Sequence, residues 1–159
     1  MAKHLQLVVF SIGKELYGVG IESVHEIVKV PDITEVPDAP AFLQGVINLR
    51  GKIVPVIDLR RRMKLSGKER TKSSRVLITE NDGRLVGLLV DAVSEVLKVN
   101  PEAVEAPPEM ISSIGVEYIT GVAKVGGRLI ILLALEKVLS IEDMKKLGTA
   151  EQDLQATAA

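Results

Sequence analysis

Residues 17–30 of this chain align without a gap on residues 86–99, and that internal repeat limits the possible folds more than any other feature. Gly18, Val24, Glu26, Lys29 and Val30 fall on Gly87, Val93, Glu95, Lys98 and Val99, and Glu22 falls on Asp91. A second block, residues 42–63, aligns on residues 118–139, placing Gly45, Val46, Gly51 and Leu59 on Gly121, Val122, Gly127 and Leu135. The two offsets, 69 and 76 residues, differ by about one loop, so two copies of one module are implied.

The module reads as β. Its apolar runs are short, rich in Val and Ile, and broken by turn residues. Strands are expected over 5–12, 16–21, 24–30, 45–49 and 53–59 in the first half. In the second half they are expected over 75–79, 85–99, 121–125 and 128–133. Asn81-Asp82-Gly83 and Gly126-Gly127 can hold the positive φ of tight hairpins, and Arg50-Gly51 stands at the equivalent place in the first copy. Polar residues 66–74 read as the connection between halves, and the pairs Pro37/Pro40 and Pro107/Pro108 as loops within each copy.

A β unit of this size buries a marginal core alone. Closing each copy into a small barrel would remove its edge strands, and packing two barrels together would bury the rest, leaving a groove between them. Short helices are expected after each barrel. Ser140-Ile141-Glu142-Asp143 is a capping box that opens a C-terminal one, with Gly148 as its stop, and residues 149–159 read as a disordered tail. The expected architecture is one mainly β domain over residues 1–148, built from repeat blocks 17–63 and 86–139.

Composition removes several function classes. Apolar residues make up 47%, enough for a real core. Net charge is -1, from 20 basic and 21 acidic residues, which argues against nucleic acid as a partner. Two Phe, two Tyr and no Trp leave little for base stacking. The absence of cysteine excludes disulfides and thiolate chemistry. No apolar stretch approaches the ~18 residues of a membrane span, and the apolar run after Met1-Ala2-Lys3-His4 is short for a signal peptide. A cytoplasmic chain with no direct membrane insertion is expected.

Catalytic and metal motifs fail on geometry. Glu22-x-x-His25 has a di-metal spacing, but on a strand positions i and i+3 face opposite sides, so His25 is expected to face solvent. Gly45 to Gly51-Lys52 has one residue too many for a phosphate loop, puts Ile53 where a magnesium-binding hydroxyl must stand, and runs into a strand. His25 is the one realistic imidazole base and no nucleophile elbow accompanies it. The carboxylate pairs Glu15/Glu22 and Glu102/Glu105 read as solvated. No catalytic residue, metal ligand or cofactor site is expected. Arg60-Arg61-Arg62 with Lys64 is the one basic cluster, and its expected place is the solvated face of a short helix begun by Asp58.

The copies differ where Arg50 replaces Gly126, His25 replaces Ser94 and Pro55 replaces Ile131. Proline confines a strand to an edge or a bulge. A copy that gains polar, rigid residues is a candidate for recognition; drift after duplication is the alternative.

These residues resemble a known family. Phe10-Ser11-Ile12-Gly13, Leu16-Tyr17-Gly18-Val19, Val24-His25-Glu26-Ile27, and the run from Gly45 to Leu59 that contains Asn48-Leu49-Arg50-Gly51 are similar to CheW-type chemotaxis coupling proteins. Gly87 to Val93 and Gly121-Val122-Ala123 fit the same pattern, so the resemblance covers roughly residues 5–140. It implies two intertwined, SH3-like five-stranded β-barrels and no enzymatic activity. The implied partners are the regulatory domain of a CheA-type histidine kinase and the helical tips of methyl-accepting chemoreceptors. The implied place is the cytoplasm, with recruitment to receptor arrays at the inner face of the membrane. Carried over residue by residue, it marks Glu26 and Arg50, with Val24, Ile27 and Asn48 as neighbours, as partner-binding candidates. The same module also serves as the regulatory part of a kinase or a fused scaffold. No phospho-acceptor, ATP-binding or receiver segment is recognisable in these 159 residues, so a free-standing adapter is the expected form.

Overall fold

The computed structural model describes residues 5–38, 43–62, 71–81, 83–106 and 119–135. The first copy supplies β1 (Leu5–Ile12), β2 (Glu15–Gly20), β3 (Val24–Lys29), β4 (Leu43–Leu49) and β5 (Lys52–Asp58), followed by the one-turn helix α1 (Leu59–Arg62). The second supplies β6 (Arg75–Asn81), β7 (Arg84–Val90), β8 (Ala92–Val99), the two-residue β9 (Val104–Glu105), β10 (Ile119–Val125) and β11 (Arg128–Leu133). The C-terminal helix, the helix after the second module and the tail fall outside the described residues.

The chain forms two sheets, of order β8-β1-β2-β11-β10-β9 and β3-β6-β7-β5-β4, and these fit two SH3-like domains. The intertwining is explicit. Each sheet takes the first hairpin of one copy and the last strands of the other, so neither copy closes within itself as the size argument had it. The hairpin β1–β2 stays in one sheet and β3 crosses to the other at the 3-10 turn Ile21–Ser23. In the second copy β7 and β8 separate at Asp91, so the apolar run 85–99, expected as one strand, is two strands in different sheets.

Registers repeat between the sheets. Val9 pairs Gly18 and Gly18 pairs Leu132 in one sheet; Ile78 pairs Gly87 and Gly87 pairs Val56 in the other. The repeat thus extends to β1 and β6 at the same offset of 69 residues. The sixth strand β9, absent from the five-strand expectation, pairs Glu105 with Val122. At the matching place in the other sheet Thr34 makes a single bridge to Val46. The glycines shared by both copies have a steric reason here. A Cβ on Gly45 would sit 2.4 Å from the Thr34 carbonyl oxygen, and one on Gly121 would sit 2.8 Å from Val104 Cγ1.

Pro55 lies in an interior strand rather than at an edge. Val46 turns both its backbone groups to Thr34, at 2.8 Å each, so opposite Val46 no hydrogen bond is required of Pro55. On its other side the parallel pairing to β7 begins one residue later, at Val56. Pro55 thus stands outside the parallel pairing, whereas the aligned Ile131 pairs Tyr17 in the sister sheet.

Three cores follow. One joins the two sheets and includes Val8, Phe10, Tyr17, Ile57, Leu59, Leu77 and Leu88. The others lie inside each sheet's curl, around Val9, Ala123 and Ile130 in one and Val56, Val76 and Ile78 in the other. Phe10 and Tyr17, directly paired across β1 and β2, stack with centroids 5.9 Å apart in the shared core. Burial pushes the Tyr17 phenol above its ordinary pKa.

Candidate functional site

β4 and β5 are joined by Arg50-Gly51, with φ of 50° and 89°. Both central residues at positive φ suit the twist of a two-residue hairpin. Asn48 Oδ1 accepts the Gly51 N–H at 2.8 Å and so fixes the turn. The second copy uses Gly126-Gly127, at 55° and 79°, for the same turn. Glycine is the unstrained choice at such a position, and Arg50 is held there at a conformational cost.

That placement aims the Arg50 guanidinium at β3, where Nη2 donates to Glu26 Oε2 at 2.5 Å. The pair ties the β4–β5 turn to the strand at the far end of the sheet order, and Arg50 stays 68% exposed against 25% for Glu26. The hydrogen bond from Arg50 holds the Glu26 carboxyl below its usual range, and the same bond raises Arg50. Glu26 Oε1 is enclosed and accepts no hydrogen bond from the described residues. Because the folded pKa is lowered, the pair is present above the ordinary glutamate value and is lost only as pH falls through the lowered one. Partner binding that uses the pair should stay level from neutral pH to about pH 5 and fall only below about 4.3, as a pH series of titrations would read.

The five residues marked from sequence fall into two groups. Asn48, Arg50 and Glu26 gather at the β4–β5 turn. Val24 and Ile27 lie on the face toward the other sheet, brought to one side by a register shift between Val24 and Glu26 that simple alternation misses. Val24 packs on the shared core, while Ile27, directly opposite the core residue Leu77, is 40% exposed. His25 is exposed, as expected.

Two features were missed. Val96 pairs Val8 on β8 just as Ile27 pairs Leu77 on β3, and is 52% exposed. The repeat signalled it, since 27 and 96 are aligned positions. The second copy also has its own ion pair, Arg128 to Glu95 at 2.9 Å, so the charge lost at Gly126 is restored two residues later. The basic cluster is not one solvated face. Asp58 Oδ1 accepts the Arg60 and Arg61 N–H groups at 3.1 and 3.4 Å, which starts α1, and the Arg61 guanidinium returns to Asp58 at 3.4 Å. Arg60 is instead buried and paired with Asp91. Lys64 lies outside the described residues. Glu15, Glu22, Glu102 and Glu105 are exposed. Among the described residues no group of three or more His, Asp or Glu could hold a metal, and no helix is long and apolar enough to cross a membrane.

Known proteins share this arrangement. The family model for the CheW-like domain matches residues 6–143. Chemotaxis protein CheW of Treponema pallidum is 40% identical over 153 residues, covering 92% of this chain and 88% of that one. Chemotaxis protein CheV3 of Helicobacter pylori is 30% identical over 82% of this chain but 42% of its own length, so the module also sits within a longer protein. The crystal structure of the scaffolding protein TtCheW from Thermoanaerobacter tengcongensis superposes with a TM-score of 0.80 at 41% identity, covering 90% and 91% of the two chains. Repeat, intertwined sheets and sequence agree, and the chain belongs to the CheW-like domain family.

Proposed function

We propose that this protein is a non-enzymatic coupling adapter of chemotaxis signalling, which joins a CheA-type histidine kinase to the cytoplasmic tips of chemoreceptors. The observation that carries the reading is the Arg50–Glu26 pair on a positive-φ arginine, set at a barrel end in a chain with the CheW-like fold. A strained residue kept where the sister copy uses glycine points to binding rather than to stability. In this reading the kinase regulatory domain meets the end formed by Glu26, Asn48 and Arg50. The receptor's amphipathic helix lies against the face between the sheets, where Val24 packs on the core and Ile27 and Val96 are exposed. The protein sits in the cytoplasm at receptor arrays. Each contact is modest, so the assembly depends on many of them.

Arg50→Gly separates binding from folding. Glycine relaxes the turn, so the melting temperature should hold or rise by a few degrees, while affinity for a kinase regulatory domain should fall by about tenfold or more. Calorimetric titration beside a thermal melt reads both. Unchanged affinity would contradict the assignment of this end to the kinase.

A further inference from the structure

Asp91 stands where the chain leaves one sheet for the other, and it is bonded in three directions. Its N–H donates to the Ser11 carbonyl at 3.1 Å. Its Oδ2 accepts the Gly13 N–H at 2.7 Å and also the Arg60 guanidinium. Gly13 and Ser11 belong to the β1–β2 hairpin of one sheet, and Arg60 to α1, which leaves β5 of the other. Arg60 is 10% exposed and Asp91 34%, so the pair is shielded on the arginine side.

The other crossing cannot repeat this pair. In the repeat alignment Asp91 and Arg60 fall on Glu22 and Glu136, both acidic, and like charges form no ion pair with one another. One of the two crossings therefore carries an opposite-charge pair that the aligned positions of the other do not repeat in sequence.

We infer that Asp91 and Arg60 are positioning residues which set how the two sheets sit relative to each other, and so fix the surface between them for a helical partner. The part that names the partner rests on the adapter reading above. A helix lying between the sheets touches both, so its affinity depends on their relative placement; a partner held at Glu26 and Arg50 touches one sheet and does not sense the joint.

The test has two readouts. The chain has no cysteine, so Lys29→Cys with Lys98→Cys places one spin label on β3 and one on the equivalent position of β8, both exposed. Added Asp91→Asn should broaden or shift the label-to-label distance distribution in protein that circular dichroism shows to be folded. Arg60→Gln should do the same. An unchanged distribution in folded Asp91→Asn would overturn the joint. In the unlabelled protein, Asp91→Asn should weaken a receptor-tip helical fragment by about fivefold or more and leave the kinase regulatory domain within about twofold. Equal loss for both partners would mark the pair as merely structural. A broadened distribution together with a wild type that binds neither partner would sink the adapter reading and leave the joint standing.

Discussion

Replacing Phe10 by alanine should lower the unfolding free energy by about 3–5 kcal/mol, the largest loss expected from any single core truncation here. Phe10 is 0% exposed, stacks on Tyr17, and belongs to the core that both sheets share rather than to the interior of either. Its removal leaves a cavity whose walls come from different sheets. Urea denaturation followed by circular dichroism is the suitable measurement, because the chain has no tryptophan to report by fluorescence. One transition with an unchanged slope and a lowered midpoint is expected. Two separated transitions would show that the sheets fold independently, against the intertwined topology.

Gly45→Ala should cost about 2–6 kcal/mol, combining overpacking of about 1–3 kcal/mol with backbone strain of about 1–3 kcal/mol. The added Cβ would meet the Thr34 carbonyl oxygen at 2.4 Å and Ile33 Cγ2 at 2.6 Å, and φ is 153°. The nearest obstacle is backbone, which cannot swing aside. Gly51→Ala is the internal control. Its φ is 89° but nothing lies within 4 Å of the new methyl, so only the conformational penalty of about 1–2 kcal/mol applies. Equal losses in the two variants would mean that close approach does not explain the shared glycine.

Much of this was legible in the chain. The repeat predicted two copies of one β module, though not that they exchange strands, and the apolar runs placed nearly every strand. The hairpin at Arg50-Gly51 followed from its alignment with Gly126-Gly127. What the sequence hid was long-range. Residues 85–99 are apolar or glycine at eleven of fifteen positions, and Asp91 is one of three charged residues among them, so nothing local marks it as the point where the chain changes sheets; its partners Gly13 and Arg60 lie 78 and 31 residues away. Arg60 looked like the exposed Arg61 because three arginines in a row carry no signal of which one turns inward. The interior place of Pro55 needed the Thr34 bridge, a tertiary contact, to become permissible. Family resemblance marked Glu26 and Arg50 as partner-binding candidates; their pairing is a feature of the structure, where the turn's positive φ aims the guanidinium at β3.

The most direct test of the coupling role is a sedimentation assay with receptor-containing membranes, a CheA-type kinase, and this protein added or withheld. The account predicts that the kinase enters the membrane pellet in proportion to the added protein, and that Glu26→Arg abolishes this recruitment while the variant remains folded. A kinase that pellets equally well without the protein, or stays in solution when the protein itself pellets, would contradict it.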